Sequence, residues 1–144
     1  MPFHGIHDHT LDAKNRLTVP AKARPELAGG VTVVKGFETC LQVWPAADYT
    51  RVAQQALAGL NPLGPEARDL KRHLYGNASS VDLDAAGRVN LSRDQLEHAG
   101  LSKEVVVVGS GEYLEVWDRD AWKTQQSDLI ARAADHIASV GHPA

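Results

Sequence analysis

Two short stretches of this chain hold an aspartate and an arginine four positions apart: Asp12-Ala13-Lys14-Asn15-Arg16, and Asp84-Ala85-Ala86-Gly87-Arg88, which begins 72 residues later. In each, the Asp side chain can accept hydrogen bonds from backbone amides ahead of it. The fourth position holds Asn or Gly, residues that tolerate positive φ. The pattern predicts a hairpin loop, a type I turn followed by a left-handed residue in a bulge. Such a loop returns the chain antiparallel and sets Arg16 or Arg88 beside the turn. Two similar cationic tips suit a repetitive, anionic partner.

Local charge separates the two copies. Between Thr10 and Arg24 the bases Lys14, Arg16, Lys22 and Arg24 stand against Asp12 alone, whereas between Asp82 and Arg93 the bases Arg88 and Arg93 are balanced by Asp82 and Asp84. The formal net charge of -3 argues mildly against blanket binding to nucleic acid, but a total says little about where charges sit. With 144 residues, 43% of them hydrophobic, the chain can bury a core as one compact domain or as two small halves sharing one core. The single Cys40 forms no internal disulfide, and no early stretch combines a basic segment, an apolar run and a small-residue cleavage site. A reducing cytoplasm is therefore expected. No apolar run approaches the roughly 18 to 20 residues that span a bilayer, so no membrane partner is expected.

The elements that must position the turns are duplicated too. At an offset of 73, Val33, Val34 and Gly36 align with Val106, Val107 and Gly109, and Leu41, Val43 and Trp44 align with Leu114, Val116 and Trp117. Leu17 and Val19 alternate after the first turn as Val89 and Leu91 do after the second, which predicts strands. Ser92 and Gln95 form a capping-box pattern with Gly100 as the stop, so a short helix follows the second turn with Leu96 and Ala99 inward. In the first half Pro20, Pro25 and Gly29-Gly30 allow only a shorter one. Hairpins are expected at Val31 to Lys35 with Cys40 to Trp44, and at Glu104 to Gly109 with Tyr113 to Trp117. Helices are expected from Ala46 to about Leu60 and near Glu66 to Leu74. A last helix, capped by Asp118, carries an apolar stripe of Trp122, Leu129, Ala133, Ile137 and Val140. The expected division is a first repeat over 1–50, a helical linker over 51–80, a second repeat over 81–123, and a C-terminal helix and tail over 124–144. Two units too small to bury their own apolar faces complete a core by joining, giving an intramolecular pseudo-dimer.

The opening Phe3-His4-Gly5, the run Leu11-Asp12-Ala13-Lys14-Asn15-Arg16-Leu17-Thr18-Val19-Pro20-Ala21-Lys22 with Arg24, and the second Leu83-Asp84 through Gly87-Arg88 closely resemble the MraZ family of bacterial transcriptional regulators. The resemblance covers nearly the whole chain. It implies an α+β fold, mainly β with helices: tandem AbrB-like swapped-hairpin halves forming one pseudo-dimeric β-barrel core. It also implies ring-like homo-oligomers, a nucleoid location, and binding to double-stranded DNA at short promoter repeats upstream of the division and cell-wall gene cluster. The family's DNA-contacting elements are its Asp-x-x-x-Arg segments, which here carries the role to Arg16 and Arg88. The chemistry agrees, because an arginine fork can contact phosphate or O6 and N7 of guanine, and a hairpin tip is thin enough for the major groove. Lys14, Lys22 and Arg24 add phosphate attraction, and Asn15 offers a polar contact. Asp12, Asp84 and Gly87 are assigned to the turn scaffold, since acids repel phosphate. The second unit departs from the family pattern, with Ala86 at an often polar position and Asn90-Leu91-Ser92 lacking the counterpart of Pro20. Its tip therefore either binds more weakly or is mainly structural, with Arg88 paired to Asp84.

Other chemistries are poorly served. His4, His7 and His9 lie close together, with Asp8 and Asp12 nearby, but lack a fourth ligand at recognised metal spacing. Ser79-Ser80 and Cys40 have no base nearby in sequence, though a triad can assemble from distant positions. Gly109-Ser110-Gly111 is followed by a strand pattern, not by a helix that could hold a pyrophosphate. Trp44 and Trp117, at equivalent strand ends, suit core or rim packing better than base stacking. No enzyme activity, metal, cofactor or small-molecule substrate is expected. The alternative is an antitoxin-like or other protein-interaction module. Against it, residues 118–140 keep a helical stripe and only Gly141 to Ala144 looks loose, where antitoxins append a disordered tail.

Overall fold

The computed structural model describes residues 2–140. Within them run β1 (Ile6–Thr10), β2 (Arg16–Thr18), a 3-10 turn (Ala21–Ala23), α1 (Arg24–Leu27), β3 (Val31–Lys35), β4 (Leu41–Pro45), α2 (Ala46–Leu57) and α3 (Pro65–Leu74). The second half follows with β5 (Ala78–Val81), β6 (Arg88–Asn90), α4 (Arg93–Ala99), β7 (Glu104–Gly109), β8 (Leu114–Asp118) and α5 (Arg119–Val140). The fold is α+β around a large antiparallel sheet.

Pairing crosses between the halves. β1 lies on β7 with Asp8 opposite Val106, β5 lies on β3 with Ser80 opposite Thr32, and the hairpins β3–β4 and β7–β8 meet where Gln42 faces Glu115. The resulting order, β1-β7-β8-β4-β3-β5, reads the same in reverse when the halves are exchanged. Alternation then builds the core. Val31, Val33, Leu41, Val43, Val105, Val107, Leu114 and Val116 share the inner face, and the ribbon β2–β6 lays Leu17, Val19, Val89 and Leu91 onto it. All twelve are buried.

The expected closed barrel does not form among the described residues. The six-stranded sheet stays open, with β1 and β5 at its edges, because β2 and β6 pair with each other in a separate two-stranded ribbon. Three residues of each suffice for that pairing, and they cover the inner face without joining the sheet.

Helices cover the outer face at equivalent places. Val34 and Trp44 pack with Tyr49 and Ala53 of α2, while Val106, Cys40 and Trp117 pack with Trp122 of α5. Tyr49 and Trp122 are 73 positions apart, so the duplication runs on into the first turn of the helix that follows each second hairpin. α4 has its capping box: the Gln95 amide donates to Ser92 Oγ at 3.1 Å, the Ser92 amide donates to Gln95 Oε1 at 2.9 Å, and Gly100 ends the helix left-handed. Gln95 Nε2 also donates to Ser79 Oγ at 2.8 Å, fixing α4 against β5. Asp118 caps α5 by accepting from the Ala121 amide at 3.1 Å. Beyond Trp122 the expected stripe is largely uncovered in the single chain: Leu129, Ile137 and Val140 are exposed and Ala133 is half-buried, and Ile130, outside the expected stripe, is exposed too. The segment from Gly141 to Ala144 lies outside the described residues.

Candidate nucleic-acid interface

The two turns close by the same bonds. Asp12 Oδ1 accepts from the amides of Lys14 and Arg16, each at 2.9 Å, and Oδ2 accepts from Arg16 Nε at 2.7 Å. Asp84 Oδ1 accepts from the amides of Ala86 and Arg88, each at 2.9 Å, and Oδ2 from Arg88 Nε at 2.7 Å. The Asn15 amide donates to the Asp12 carbonyl at 3.0 Å and the Gly87 amide to the Asp84 carbonyl at 2.9 Å. Asn15 has φ 58° and Gly87 φ 75°, the left-handed residue the sequence predicts. For Asp12, the bond from the Arg16 amide, with the Arg16 guanidinium and the Lys14 amide, holds the carboxyl below the ordinary carboxylate range against an opposing desolvation. Asp84 is lowered in the same way, by the Arg88 amide first. Pairing of Arg88 to Asp84 therefore does not set the second turn apart: Arg16 is paired identically.

The ribbon turns two tips into one surface. Arg16 faces Asn90, Leu17 faces Val89 and Thr18 faces Arg88, so alternation buries Leu17 and Val89 and leaves Arg16, Thr18, Arg88 and Asn90 on the other side. Arg88 Nη1 lies 4.0 Å from Asp12 Oδ2, so the two arginines flank one carboxylate. Backbone bonds tie each tip to the opposite strand. The Val19 amide donates to the Gly87 carbonyl at 2.9 Å, and the Leu91 amide to the Asn15 carbonyl at 3.2 Å. Each arginine uses Nε on its own Asp, and a guanidinium has five N–H donors, so forked contact to phosphate or a base edge stays available to both. The side chains of Arg16 and Arg88 are 27% and 32% exposed, so neither is sealed from a partner.

The other candidate bases are placed differently from one another. Lys14 and Asn15 are exposed on the first turn. Lys22 sits on the 3-10 turn and lines a cleft of about 370 Å³ with Phe3, His4 and His7. Arg24 is half-buried: its Nε donates to the Val19 carbonyl at 3.1 Å, and its side chain crosses the α-carbon of Gly87. The sequence reading missed Lys103, which lines an open cleft of about 450 Å³ with Asp12, Ala13 and Asn15. The position 73 residues earlier is Gly30, so the first half supplies no matching base, and a side-chain oxygen of Asp82 lies near that glycine instead. Thr18 and Asn90 were also missed, although strand alternation puts them on the arginines' side.

Elsewhere the alternatives find little geometry. His7 Nε2 lies 3.3 Å from the His4 carbonyl, and among the described residues no three His, Cys, Asp or Glu side chains gather as a metal site. Trp44 and Trp117 are buried, with indole N–H groups donating to Gln42 at 3.0 Å and Glu115 at 3.1 Å. No helix of the described residues is long and apolar enough to cross a membrane.

Fold and site together define a tandem-repeat α+β protein that presents paired arginine turns on one ribbon. A family model described as "MraZ protein, putative antitoxin-like" matches the chain twice, over residues 3–73 and 74–139, and the chain belongs to the MraZ family. It is 45% identical over 122 residues to the transcriptional regulator MraZ of Rhodococcus jostii (strain RHA1), covering 85% of each chain. With the transcriptional regulator MraZ of Corynebacterium efficiens it shares 42% identity over 132 residues, 92% of each chain. With that of Nocardia farcinica it shares 42% over 136 residues, 92% of this chain and 94% of the relative.

Proposed function

We propose that this protein is a sequence-specific, DNA-binding transcriptional regulator whose paired turns contact short repeats in the promoter of the division and cell-wall gene cluster. The observation that carries the reading is the shared ribbon surface, on which Arg16 and Arg88 stand on one side with Lys14 and Lys103 at its first corner. The relatives' names as transcriptional regulators support it. Arg16 and Arg88 act as the readers; Lys14, Lys22 and Arg24 supply positive charge, and Asn15 a polar contact. Asp12, Asp84 and Gly87 hold the turns. The exchange of strands between repeats supports an AbrB-like swapped-hairpin ancestry for the two halves. The uncovered apolar side of α5 supports assembly of several copies, as a ring-like homo-oligomer acting at the nucleoid in the cytoplasm. On this reading there is no substrate to turn over and no cofactor.

Footprinting on a duplex covering the DNA upstream of the protein's own gene, at two salt concentrations, tests it. A protected set of repeats is expected, with affinity falling steeply as salt rises. No protection at low salt, or equal affinity for unrelated DNA, would overturn the reading. A protein-interaction module of the antitoxin kind is the second reading, favoured by Leu129, Ile130, Ile137 and Val140, exposed along α5.

A further inference from the structure

Asn15 and Gly87 hold the same place in the two turns and the same left-handed backbone, yet they are not interchangeable in their surroundings. Asn15 is exposed, while Gly87 is buried. A β-carbon built on Gly87 would overlap Arg24 Nε and stand 2.7 Å from both Cδ and Cζ of that side chain. Arg24 comes from the first half, four residues past Pro20, and its Nε donates to the Val19 carbonyl at 3.1 Å. The Val19 amide in turn donates to the Gly87 carbonyl at 2.9 Å. One side chain thus lies over the second tip and is anchored to the residue that tip is bonded to. Left-handed backbone alone does not require glycine here, because the first turn manages it with asparagine. What sets Gly87 apart is Arg24, whose side chain would have to leave the tip to admit a β-carbon there.

We propose that Arg24 is a positioning residue that clamps the second tip, at Gly87, to the end of β2, so that Arg16 and Arg88 are presented to DNA as one rigid pair. Its consequence for binding rests on the reading of the two arginines as DNA contacts. The clamp itself is a property of the protein alone. It explains why a base on the first repeat accompanies a glycine on the second, and it gives Arg24 a task other than attracting phosphate.

Amide hydrogen exchange at Val19 reads the clamp directly. Arg24→Ala, and separately Arg24→Lys, is expected to speed that exchange roughly tenfold, the scale of one hydrogen bond from a charged donor. Lysine keeps the charge but not the Nε donor or the flat group over Gly87, so it does not restore protection. Gly87→Asn is expected to speed exchange when Arg24 is present and to have little further effect in the Arg24→Ala background, since contacting residues couple. Asn15→Gly, the reverse swap at the open turn, leaves Val19 unaffected. Unchanged exchange in Arg24→Ala, rescue by lysine, or additive effects of the Gly87 and Arg24 changes would each overturn the proposal.

Binding to the upstream duplex separates this from the functional reading. A clamp predicts that Arg24→Lys loses discrimination between that duplex and unrelated DNA with its salt dependence kept. A phosphate contact predicts that Arg24→Ala lowers the salt slope by about 0.9 while Arg24→Lys stays normal, which counts against the clamp. If the parent protein binds no DNA, the functional reading fails and the exchange cycle still decides the role of Arg24.

Discussion

An arginine tied by Nε to its own aspartate is a pre-aimed fork, because the pair fixes the side chain before a partner arrives and less freedom is lost on contact. Arg16 and Arg88 are tied with the same 2.7 Å bond, so any difference between them comes from their neighbours. The first turn has Lys14 and Lys103 beside it, and the second has Ala86 and Asp82. Arg16→Ala is therefore expected to lose more affinity than Arg88→Ala, up to about 1 to 3 kcal/mol if the contact is a bidentate one to guanine. A titration giving equal or reversed losses would sink the asymmetry. Acid tests the scaffold. Asp12 and Asp84 are depressed in the folded chain, so the stability they add is complete above the ordinary carboxylate value and is lost as pH falls through the depressed one. The amide resonances of Lys14, Arg16, Ala86 and Arg88 are expected to titrate below the ordinary carboxylate range, and Asp12→Asn to remove the response of the first turn alone. Titration at the ordinary value would show that these bonds are not held in solution.

The ribbon is the element that makes a site of two turns, and it is held by what it buries. Leu17 and Val89 face each other with no exposed surface, in the core cluster that also holds Val33, Val43, Val107 and Val116. Leu17→Ala leaves a cavity under the first arginine and is expected to cost about 2 to 5 kcal/mol in denaturant unfolding. A loss under 1 kcal/mol would mean the ribbon is loosely seated. Much of this element was legible in the sequence. The Asp, the Asn or Gly, and the alternation after each turn predict two hairpin tips, because turn chemistry is local. That β2 pairs with β6 rather than completing a barrel was not legible, since three-residue strands carry no period long enough to choose a partner. Spacing shows Arg24 only as one more base to attract DNA phosphate, because a contact spanning 63 positions, to Gly87, leaves no mark in it. Lys103 was missed for the same reason: it reaches the first turn only through the pairing of the halves.

At the scale of the molecule, the crossed pairing lets one chain carry two tips on one surface, and the uncovered stripe on α5 offers a way to join copies. On the proposed DNA-binding reading, a single ribbon presents few positive groups against a net charge of -3, so one protomer alone is expected to bind DNA weakly. Several protomers held together change that, because after the first ribbon docks, the next meets its repeat at high effective concentration. The advantage depends on geometry and vanishes where the linked sites cannot be reached together. Neighbouring repeats must then present the same face of the duplex, which turns once in about 10 base pairs. Inserting about half a turn, roughly 5 base pairs, between two repeats rotates one to the far side and is expected to weaken binding sharply, while inserting about a full turn restores part of it. Substituting Ile130 and Ile137 by charged residues is expected to reduce the assembly in sedimentation and with it the sensitivity to spacing, leaving a weak contact to one repeat. If the spacer variants bind alike, or if disrupting α5 leaves assembly and spacing sensitivity intact, the ribbons do not act together through this helix.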